Sequence, residues 1–455
     1  MIKKAILFFL LTLPLSAQDF GFGFGDEDGA GFSGAGSGLG VSVSGEVGAS
    51  MTGYFEDFSD GADHIELGDI FSGGLNFSAK TAVAEGVINL NLNTTETPVS
   101  IDEAYLRAYF GDFEITAGLR KLTWGKADSF GPLDVINPLD SSAVFTEMAD
   151  NDSLLGVKIA RPLVHAVLRF GRSSKIEGVF VPWFEPHRIA TEGRWAPAQM
   201  EMLKDTTIAI PMPPMAIPVK IHPSESNAID HAQAGLRFTT TIGGADIGAQ
   251  YYYGRLPQPA AMINIDMSPT PQIDVDILYN PYHQIGLDYA QVLFGFNIRA
   301  ELAANITEDL KGDDGSIYNP SIAWSFGFDR DVFLGINLNL QINESIRLMH
   351  DKLGSGDMMS VFTDGTFDIE GGSSLTATRL TATVTRRFLR DQLELRAAVV
   401  WGIEDKDCAI MPALIWTREE LRLALSGGFF AGEKEGQLGQ YRDNNFIKVS
   451  LTYMF

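Results

Sequence analysis

The chain ends in Ile447-Lys-Val-Ser-Leu-Thr-Tyr-Met-Phe455, a stretch in which every second side chain is apolar. Lys448, Ser450 and Thr452 occupy the alternate positions. A period of two with one apolar face is the pattern of a β-strand. A strand this apolar, ending the chain on an aromatic residue, indicates nonpolar surroundings for its outer face. Taken alone, the stretch also allows the last strand of a soluble sheet.

The N-terminus has the pattern of an export signal. Lys3 and Lys4 precede an apolar run from Ala5 to Leu13, and Pro14-Leu-Ser-Ala17 supplies the small residues of a cleavage site. The run is too short to span a bilayer as a helix. We predict a signal peptide over residues 1–17, cut after Ala17, and exclude this segment from the fold.

No later segment contains the roughly 18 uninterrupted apolar residues that a membrane helix needs. Only helices and closed barrels satisfy their backbone groups in lipid, so an exported chain of this kind is either a barrel or a soluble periplasmic protein. The formal net charge of −24 argues against nucleic acid as a partner, which would require basic patches. It suits acidic loops that face water.

Regular alternation begins at Val41 and continues to the end of the chain. Residues 18–40 form an acidic, glycine-rich leader that we predict to be flexible. Residues 41–455 form the predicted barrel. The 18 predicted strands, with boundary errors of two to four residues, span 41–55, 70–82, 86–93, 101–110, 113–122, 154–161, 176–183, 232–241, 246–254, 284–292, 295–304, 321–328, 333–342, 376–386, 392–401, 409–416, 421–430 and 445–455.

The connections between these strands alternate between tight and long. Gly111-Asp112 and Gly243-Gly244 are typical of the first set, and 123–153 and 184–231 of the second. This asymmetry predicts an all-β protein, a transmembrane antiparallel β-barrel with short periplasmic turns and long extracellular loops. The connection 162–175 breaks the rule because it is long on the short side. Its stretch from Val164 to Phe170 is either an extension of the neighbouring strands or an extra strand, which would make the predicted strand count wrong. The closing strand at 445–455 should pair with the strand at 41–55.

The polar face of each strand should point into the lumen, and an 18-stranded barrel leaves an aqueous channel unless something plugs it. Charges on this face are candidates for guiding a solute, although paired charges inside barrels also serve stability alone. The candidate pore-lining residues are Glu103, Arg107, Glu114, Arg120, Arg237, Arg299, Glu301, Arg379, Arg396 and Arg422.

The segment 103–140 contains the motif Gly118-x-Arg120-x-x-x-Trp124-Gly125, followed by Asn137-Pro138-x-Asp140. Here the chain resembles a family of uncharacterised bacterial outer-membrane barrels and, more loosely, alginate-export-type porins. The last strand also resembles the closing strand of bacterial outer-membrane barrels, and this resemblance implies that Tyr453 and the terminal Phe455 belong to an assembly signal read by the barrel-assembly machinery. It implies nothing about the solute.

The motif lies in a long loop that has stiffening residues. Pro138 fixes its own φ and holds Asn137 extended, while Asp134, Asn137 and Asp140 can hydrogen-bond local backbone. Trp124 is expected to end a strand at the outer rim. Two interpretations remain open: the loop 123–153 folds inward and narrows the pore through Trp124, Gly125, Asp134, Asn137, Pro138 and Asp140, or it is a rigid cap that seals the rim.

These observations favour a porin-like channel of the outer membrane for passive or weakly selective passage of small hydrophilic solutes. One alternative is a plugged barrel whose long loops act as an adhesin or receptor. Another is a transporter of hydrophobic substrates with a lateral opening. The seven histidines are scattered and no nucleophile motif accompanies them, so we predict no enzyme, no cofactor and no metal. Predicted partners are the lipid bilayer, the solute and possible further copies of the chain.

Overall fold

The computed structural model describes residues 39–55, 65–66, 71–94, 98–141, 144–150, 154–197, 207–211, 214–224, 229–266, 272–350, 368–370 and 373–455. The predicted signal peptide and nearly all of the predicted leader lie outside the described residues. Among the helices of the described residues, none is long and apolar enough to cross a membrane.

The chain is built almost entirely of strands. In chain order these are β1 (Gly40–Tyr54), β2 (Ile65–Glu66), β3 (Ser72–Lys80), β4 (Ala84–Asn93), β5 (Val99–Phe110), β6 (Phe113–Arg120), β7 (Arg161–Phe170), β8 (Ser174–Val181), β9 (Thr207–Pro211), β10 (Pro214–His222), β11 (Gln233–Ile242), β12 (Ala245–Arg255), β13 (Ala260–Asp266), β14 (Gln272–Leu278), β15 (Pro281–Leu293), β16 (Phe296–Thr307), β17 (Ser321–Asp331), β18 (Ile336–Arg347), β19 (Thr376–Phe388), β20 (Leu393–Gly402), β21 (Asp407–Arg418), β22 (Leu421–Gly432) and β23 (Phe446–Met454). One α-helix, α1 (Val144–Asp150), and 3-10 helices at Leu154–Val157, Ile229–His231, Phe333–Gly335 and Gly439–Tyr441 complete the described elements.

Eighteen of the strands close into one antiparallel barrel, and the two-residue β2 adds to the end of β1. Each barrel strand pairs with its neighbours in sequence once β9, β10, β13 and β14 are set aside. The barrel closes between β1 and β23, which pair from Glu46↔Met454 to Tyr54↔Phe446. At the end of this seam Gly45 and Phe455 exchange two backbone hydrogen bonds of 2.8 Å. The predicted strand number and closing pair are therefore confirmed.

The connections alternate as predicted. One end of the barrel, here called the turn end, carries the short links, from Gly111-Asp112 to Glu419-Glu420, together with both ends of the described chain. The opposite end, here called the loop end, carries the long connections, among them residues 121–160, 182–232 and 348–375. Positive φ angles at Gly111 and Gly243 fit the tight turns, because glycine adopts these angles without steric cost.

The predicted strand at 154–161 is wrong. Leu154–Val157 is a 3-10 helix, and the barrel strand is Arg161–Phe170, which was predicted to be a connection. The turn that follows is only 171–173, so the apparent long link on the turn side does not exist. The segment around Lys158 does alternate, but its partner is a loop: Ile159 N donates to Pro138 O, and Lys158 bridges Leu139.

A second, smaller sheet lies in the loops at the loop end. Its strand order is β13-β14-β10-β9, with β10 and β14 parallel and the other pairs antiparallel. Ile217, Ile273 and Val275 form its buried core. This sheet was not predicted, since residues 184–231 and 255–283 were interpreted as plain loops.

The outer surface of the barrel is apolar between two bands of aromatic side chains. Outward-facing Leu106, Leu236 and Leu287 are each more than half exposed. Exposed aromatic residues mark the two borders: Phe110, Phe113, Phe170, Phe294, Phe333 and Tyr453 near the turn end, and Phe71, Trp183, Tyr251, Tyr253, Trp401 and Phe429 near the loop end. Apolar atoms in contact with lipid, bordered by aromatic rings, are the pattern of a membrane-embedded barrel wall.

Candidate functional site: a loop held inside the barrel

The polar faces of the strands point into the barrel, as predicted. All ten candidate pore-lining residues lie on this inner side, alternating with exposed apolar residues such as Leu106 and Leu302. Four of the ten, however, are more than nine-tenths buried: Glu114, Arg237, Glu301 and Arg396. These four are enclosed by neighbouring protein atoms, so they hold the wall and its loops together and do not meet solute directly.

Residues 121–160, here called the inner loop, join β6 to β7 and enter the barrel. Glu301 in β16 receives the loop on its carboxylate. Its Oε1 accepts hydrogen bonds from the backbone N–H groups of Lys126 and Ala127, the latter at 2.7 Å, and Oε2 accepts one from Leu133 N at 3.4 Å. One buried carboxylate thus binds three backbone donors, which satisfies groups that would otherwise be costly to bury.

Amide side chains on three further strands extend this contact. Gln341 in β18 accepts from Asp128 N and Ser129 N at 3.0 and 3.2 Å. Gln250 in β12 and Gln284 in β15 donate to the carbonyls of Leu133 and Pro132, both at 3.0 Å. The loop leaves the wall at β6 and is bound at β12, β15, β16 and β18, so residues 125–134 cross the lumen.

An ion-pair network fastens the tip. The carboxylate of Asp128 accepts from Arg299 and, at 2.9 Å, from Asn339 Nδ2. Arg299 also pairs with Asp329 on β17 at 2.7 Å. Burial raises the pKa of Asp128 against the opposing effects of Asn339 and Arg299. Two acidic groups share this arginine, so little positive charge remains for a passing anion.

Two glycines of the inner loop are required by the position of Glu301. A Cβ on Gly125 would stand 2.3 Å from Glu301 Oε1, and one on Gly131 would stand 2.5 Å from Oε2. Gly125 also has a φ of +99°, which disfavours any side chain. Trp124 is buried beside Gly235, and the prediction that it ends a strand is wrong. β6 has already ended at Arg120.

The Asn-Pro-x-Asp motif closes the base of the inner loop. Asn137 is buried; its Oδ1 accepts from Leu122 N at 2.7 Å, and its Nδ2 donates to Arg120 O and Ile159 O at 3.1 and 2.9 Å. The entering and returning arms are thereby joined. Residues 125–134 are the part that crosses the lumen, whereas Asn137, Pro138 and Asp140 fasten its base, a division of roles that neither sequence interpretation contained.

Neighbouring groups stiffen this base further. Asp134 pairs with Lys158 at 2.5 Å, and Asp140 pairs with Arg188 of the next loop at 2.8 Å. Burial raises the pKa of Asp134 in spite of its lysine partner. His187 Nδ1 accepts from Leu139 N at 2.8 Å, and desolvation lowers the pKa of His187 to about 4, so the ring is neutral at pH 7.

The returning arm packs on the opposite side of the barrel. In α1, Phe145 lies in a cluster of aromatic rings near β22, with centroid distances of 5.0 Å to Phe430, 5.3 Å to Trp195 and 5.4 Å to Tyr441. Arg396 in β20 donates to Ala149 O at 3.1 Å. The inner loop is therefore fastened to walls on both sides of the lumen.

Charge pairs cover much of the remaining wall. Arg237 pairs with Asp288 and Arg107 with Glu85, at 2.8 and 3.3 Å. Glu103 accepts from Asn89 Nδ2 and Lys121 N. Arg120 donates to Thr116 and contacts His165, while Arg422 and Arg379 lie on the inner side towards the turn end and the loop end respectively.

Two cavities lie on either side of the inner loop. The turn-end cavity, about 650 Å³, has Gly125 and Lys126 of the inner loop among its lining residues. The loop-end cavity, about 700 Å³, is lined by Phe130 and Pro132 and by β17, β18 and β19. Both are in the size range of small-molecule sites. Among the described residues, no group of three or more His, Cys, Asp or Glu side chains could hold a metal.

Sequence reasoning missed the contact residues Gln250, Gln284 and Phe130, and it assigned Glu301 to the pore surface. Their partners stand far away in the chain; Asp128 and Gln341, for example, are 213 residues apart. The pair Gly125 and Gly131 was the signal that could have indicated a close approach within this loop, because such glycines mark places without room for a Cβ.

Comparison with known proteins adds no family. No protein-family model and no curated protein matches the chain. Among solved structures, the chain is similar to Pseudomonas aeruginosa OccK9 (8% identity, TM-score 0.48, covering 91% of this chain and 97% of that one). It is also similar to Salmonella typhi OmpF in complex with daunomycin (8%, 0.43, 92% and 98%) and to the outer-membrane channel DcaP of Acinetobacter baumannii (11%, 0.42, 94% and 100%). At these identities and scores the similarity carries no conclusion about activity or substrate.

Proposed function

We propose that the protein is a porin-like channel in a bacterial outer membrane that passes small hydrophilic solutes. The carrying observation is the crossing of the lumen by residues 125–134, which are bound to Glu301 and Gln341 on the far wall. A loop that only sealed the rim would need no such contacts halfway along the strands. An inner loop fixed in this way narrows a barrel of 18 strands to a width that discriminates among solutes.

The surroundings required for this function follow from the two faces of the wall. The apolar belt and aromatic borders suit a bilayer outside, and the alternating polar face suits water inside. Export by a signal peptide, insertion by the barrel-assembly machinery through Tyr453 and Phe455, and possible association of several copies belong to the same proposal. So does weak selectivity through lumen charges that stay partly exposed, such as Arg422.

Conductance of refolded full-length protein in planar bilayers tests the channel. We expect discrete, stable current steps whose size is limited by the inner loop. Heat-modifiable mobility on a gel establishes that the protein is folded before it is recorded. Folded protein that inserts and yet gives no conductance would contradict the proposal.

A receptor role is the second candidate, favoured by one observation. The four-stranded sheet β9-β10-β14-β13 gives the loop end an ordered surface outside the barrel wall. Replacing residues 260–278 with a flexible linker of equal length separates the two functions. A channel keeps its conductance in this variant. A barrel that shows no conductance with or without the sheet favours the receptor.

A further inference from the structure

We infer that the loop-end cavity binds a neutral, polyhydroxylated solute, of the class of mono- and disaccharides. This inference deepens the proposed channel function and rests on it. The cavity combines an exposed aromatic ring, an amide held in one orientation and a set of charges that are already paired. Each of these features selects a different property of the solute.

The aromatic surface is Phe130, which is 40% exposed at the tip of the inner loop. Its backbone is fixed by Gln341, whose Nε2 donates to Phe130 O at 3.4 Å and whose Oε1 accepts from Ser129 N. The ring is thus held in a cavity that is otherwise mostly polar. A flat apolar face covers the C–H face of a sugar ring and releases water from both surfaces.

A row of amides runs along the inner face of β18 and reaches the cavity at Asn343. The inward-facing side chains at alternate positions are Asn337, Asn339, Gln341 and Asn343. On the neighbouring strand β19, their register partners are Thr385, Thr383, Thr381 and Arg379. Amides donate and accept simultaneously, as do the hydroxyl groups of a sugar. Asn337 and Asn339 already donate to Asp331 and Asp128, and Gln341 is bound to the inner loop and to Asn343, so Asn343 is the amide of this row that faces a solute.

Asn343 is the amide best placed to bind, because it lines the cavity. Its Oδ1 accepts from Gln341 Nε2 at 2.8 Å, which fixes the orientation of the amide. Within the described part of the chain, no protein acceptor takes up the Nδ2 protons of Asn343. An amide that is oriented by one bond and still has donors to offer is suited to a ligand oxygen.

The charges around the cavity disfavour an anion. Arg347 pairs with Glu370 at 2.6 Å, and Arg379 is engaged by Gln437 and, at 3.8 Å, by Asp405. The lining also contains Glu404, Asp405, Glu433 and Glu435, so acidic groups outnumber basic ones. A carboxylate or phosphate would find no free arginine there and would meet repulsion.

Some of the acidic side chains in the cavity already have hydrogen-bond or ion-pair partners, which weakens their attraction for a cation. Glu404 accepts from the hydroxyls of Thr376 and Thr378 at 2.6 and 2.8 Å, and Glu433 pairs with Lys406 at 3.0 Å. The turn-end cavity provides the contrast. Its lining includes Lys126, Arg169 and Lys175 and contains no aromatic residue. Of the two cavities, therefore, only the loop-end cavity combines an aromatic ring with an amide.

Current block by sugars in planar bilayers tests the inference on the full chain. The probes are glucose, glucuronate and glucosamine at equal concentrations, which differ mainly in charge. We expect glucose to block at the lowest concentration. In Phe130→Ala and Phe130→Leu the half-blocking glucose concentration should rise at least tenfold, whereas Phe130→Tyr should stay within about threefold. The control Phe294→Ala removes a ring that is 94% exposed at the turn end and should change nothing.

The outcomes separate the binding site from the channel. Equal or stronger block by glucuronate or glucosamine, or unchanged block in folded Phe130→Leu, overturns the inference while leaving the channel intact. If the folded protein does not conduct, the channel proposal fails. Saturation-transfer NMR of glucose with the detergent-solubilised protein then decides the binding site, and a signal that is no weaker in Phe130→Leu overturns it.

Discussion

The carboxylate of Glu301 fills the space that a side chain on Gly125 would need: a Cβ there would lie 2.3 Å from Oε1. The two residues belong to the barrel wall and to the loop that crosses it. Their contact explains the glycine of the Trp-Gly motif by close approach as well as by its φ of +99°. The position of the inner loop thus depends on the missing side chain of Gly125 and on the carboxylate of Glu301, which fills that space.

Gly125→Ala should displace the inner loop. The new Cβ meets Glu301, so residues 125–134 must move from the wall and the mean conductance should change, with added current noise. Gly171→Ala is the matched control, because Gly171 also has a positive φ of +64° but open space around its Cβ. Both variants carry backbone strain of about 1–2 kcal/mol. Similar currents in the two variants would contradict the contact.

Glu301→Gln should loosen the loop without adding bulk. The carboxamide NH2 faces backbone donors, so charge-assisted hydrogen bonds are lost and the free energy of unfolding should fall by about 2 kcal/mol. Hydrogen exchange at residues 126–133 should accelerate. Glu394→Gln is the control, because Glu394 pairs with exposed Arg387 at 2.9 Å and contacts no loop backbone. Unchanged exchange at 126–133 would argue against Glu301 as the anchor.

Asn137→Ala should destabilise the base of the loop. Three backbone partners, at Leu122, Arg120 and Ile159, lose their hydrogen bonds in a buried site. We expect a loss of about 2–4 kcal/mol, measured by urea unfolding in detergent or lipid. Asn91→Ala is the control, since Asn91 faces the lumen and makes no side-chain hydrogen bond within the described chain. If both variants lose the same free energy of unfolding, Asn137 does not hold the base of the inner loop together.

Stability should fall on acidification because of His187. Its folded pKa of about 4 lies below the ordinary value of 6.5, so the unfolded chain takes up a proton first as the pH drops. The contribution is complete above pH 6.5 and is lost as the pH falls to 4, amounting to at most about 3 kcal/mol. His187→Gln keeps an acceptor for Leu139 N and should flatten this part of the pH profile of unfolding. If the pH profile of unfolding is the same in His187→Gln as in the unchanged protein, His187 is not the group responsible.

Removal of Phe455 should impair assembly more than stability of the finished barrel. The residue contributes two backbone hydrogen bonds to Gly45 at the very end of the seam. We expect a several-fold lower yield of folded protein in the outer membrane, with refolding in vitro largely retained. Deletion of the exposed Phe294 ring by substitution with alanine is the comparison. If removal of Phe455 lowered refolding in vitro as much as it lowers the yield in the outer membrane, the role of Phe455 would be purely structural.

Barrel strands could be predicted wherever apolar and polar side chains alternate, because one face of such a strand meets lipid and the other faces the lumen. The exception at 154–161 is instructive. Apolar and polar residue types alternate at Val157 and Lys158, but both side chains are buried. The segment pairs with the loop residues Pro138 and Leu139, not with a barrel strand. Pro162 then obscured the start of β7, because proline within a strand pattern argues against a strand. The period alone does not say which partner an extended segment has.

For the site, the sequence allowed two interpretations of the loop 123–153, an inward fold and a cap at the rim. Its tip lies beside Gln341 and Glu301 because the barrel brings distant strands together, and no local pattern encodes that distance. Burial of Arg237 and Glu301 was equally invisible, since a charged residue on a polar strand face has the same pattern whether water or a loop covers it. Two of the four strands of the small loop-end sheet, β9 and β10, contain Pro211, Pro214 and Pro218, and proline within a strand pattern argues against a strand.

The seam between β1 and β23 also fixes the order of folding. Hairpins such as β5-β6 join neighbours in sequence and can form early, but Gly45 meets Phe455 only when the first and last barrel strands come together. Contacts of such separation form slowly, because the entropy of the intervening chain must be overcome first. Until then the growing sheet has two open edges, each a template for unwanted pairing. Closure of this seam is therefore expected to be the slow step of folding, and the two open edges are exposed to wrong pairing until it is complete.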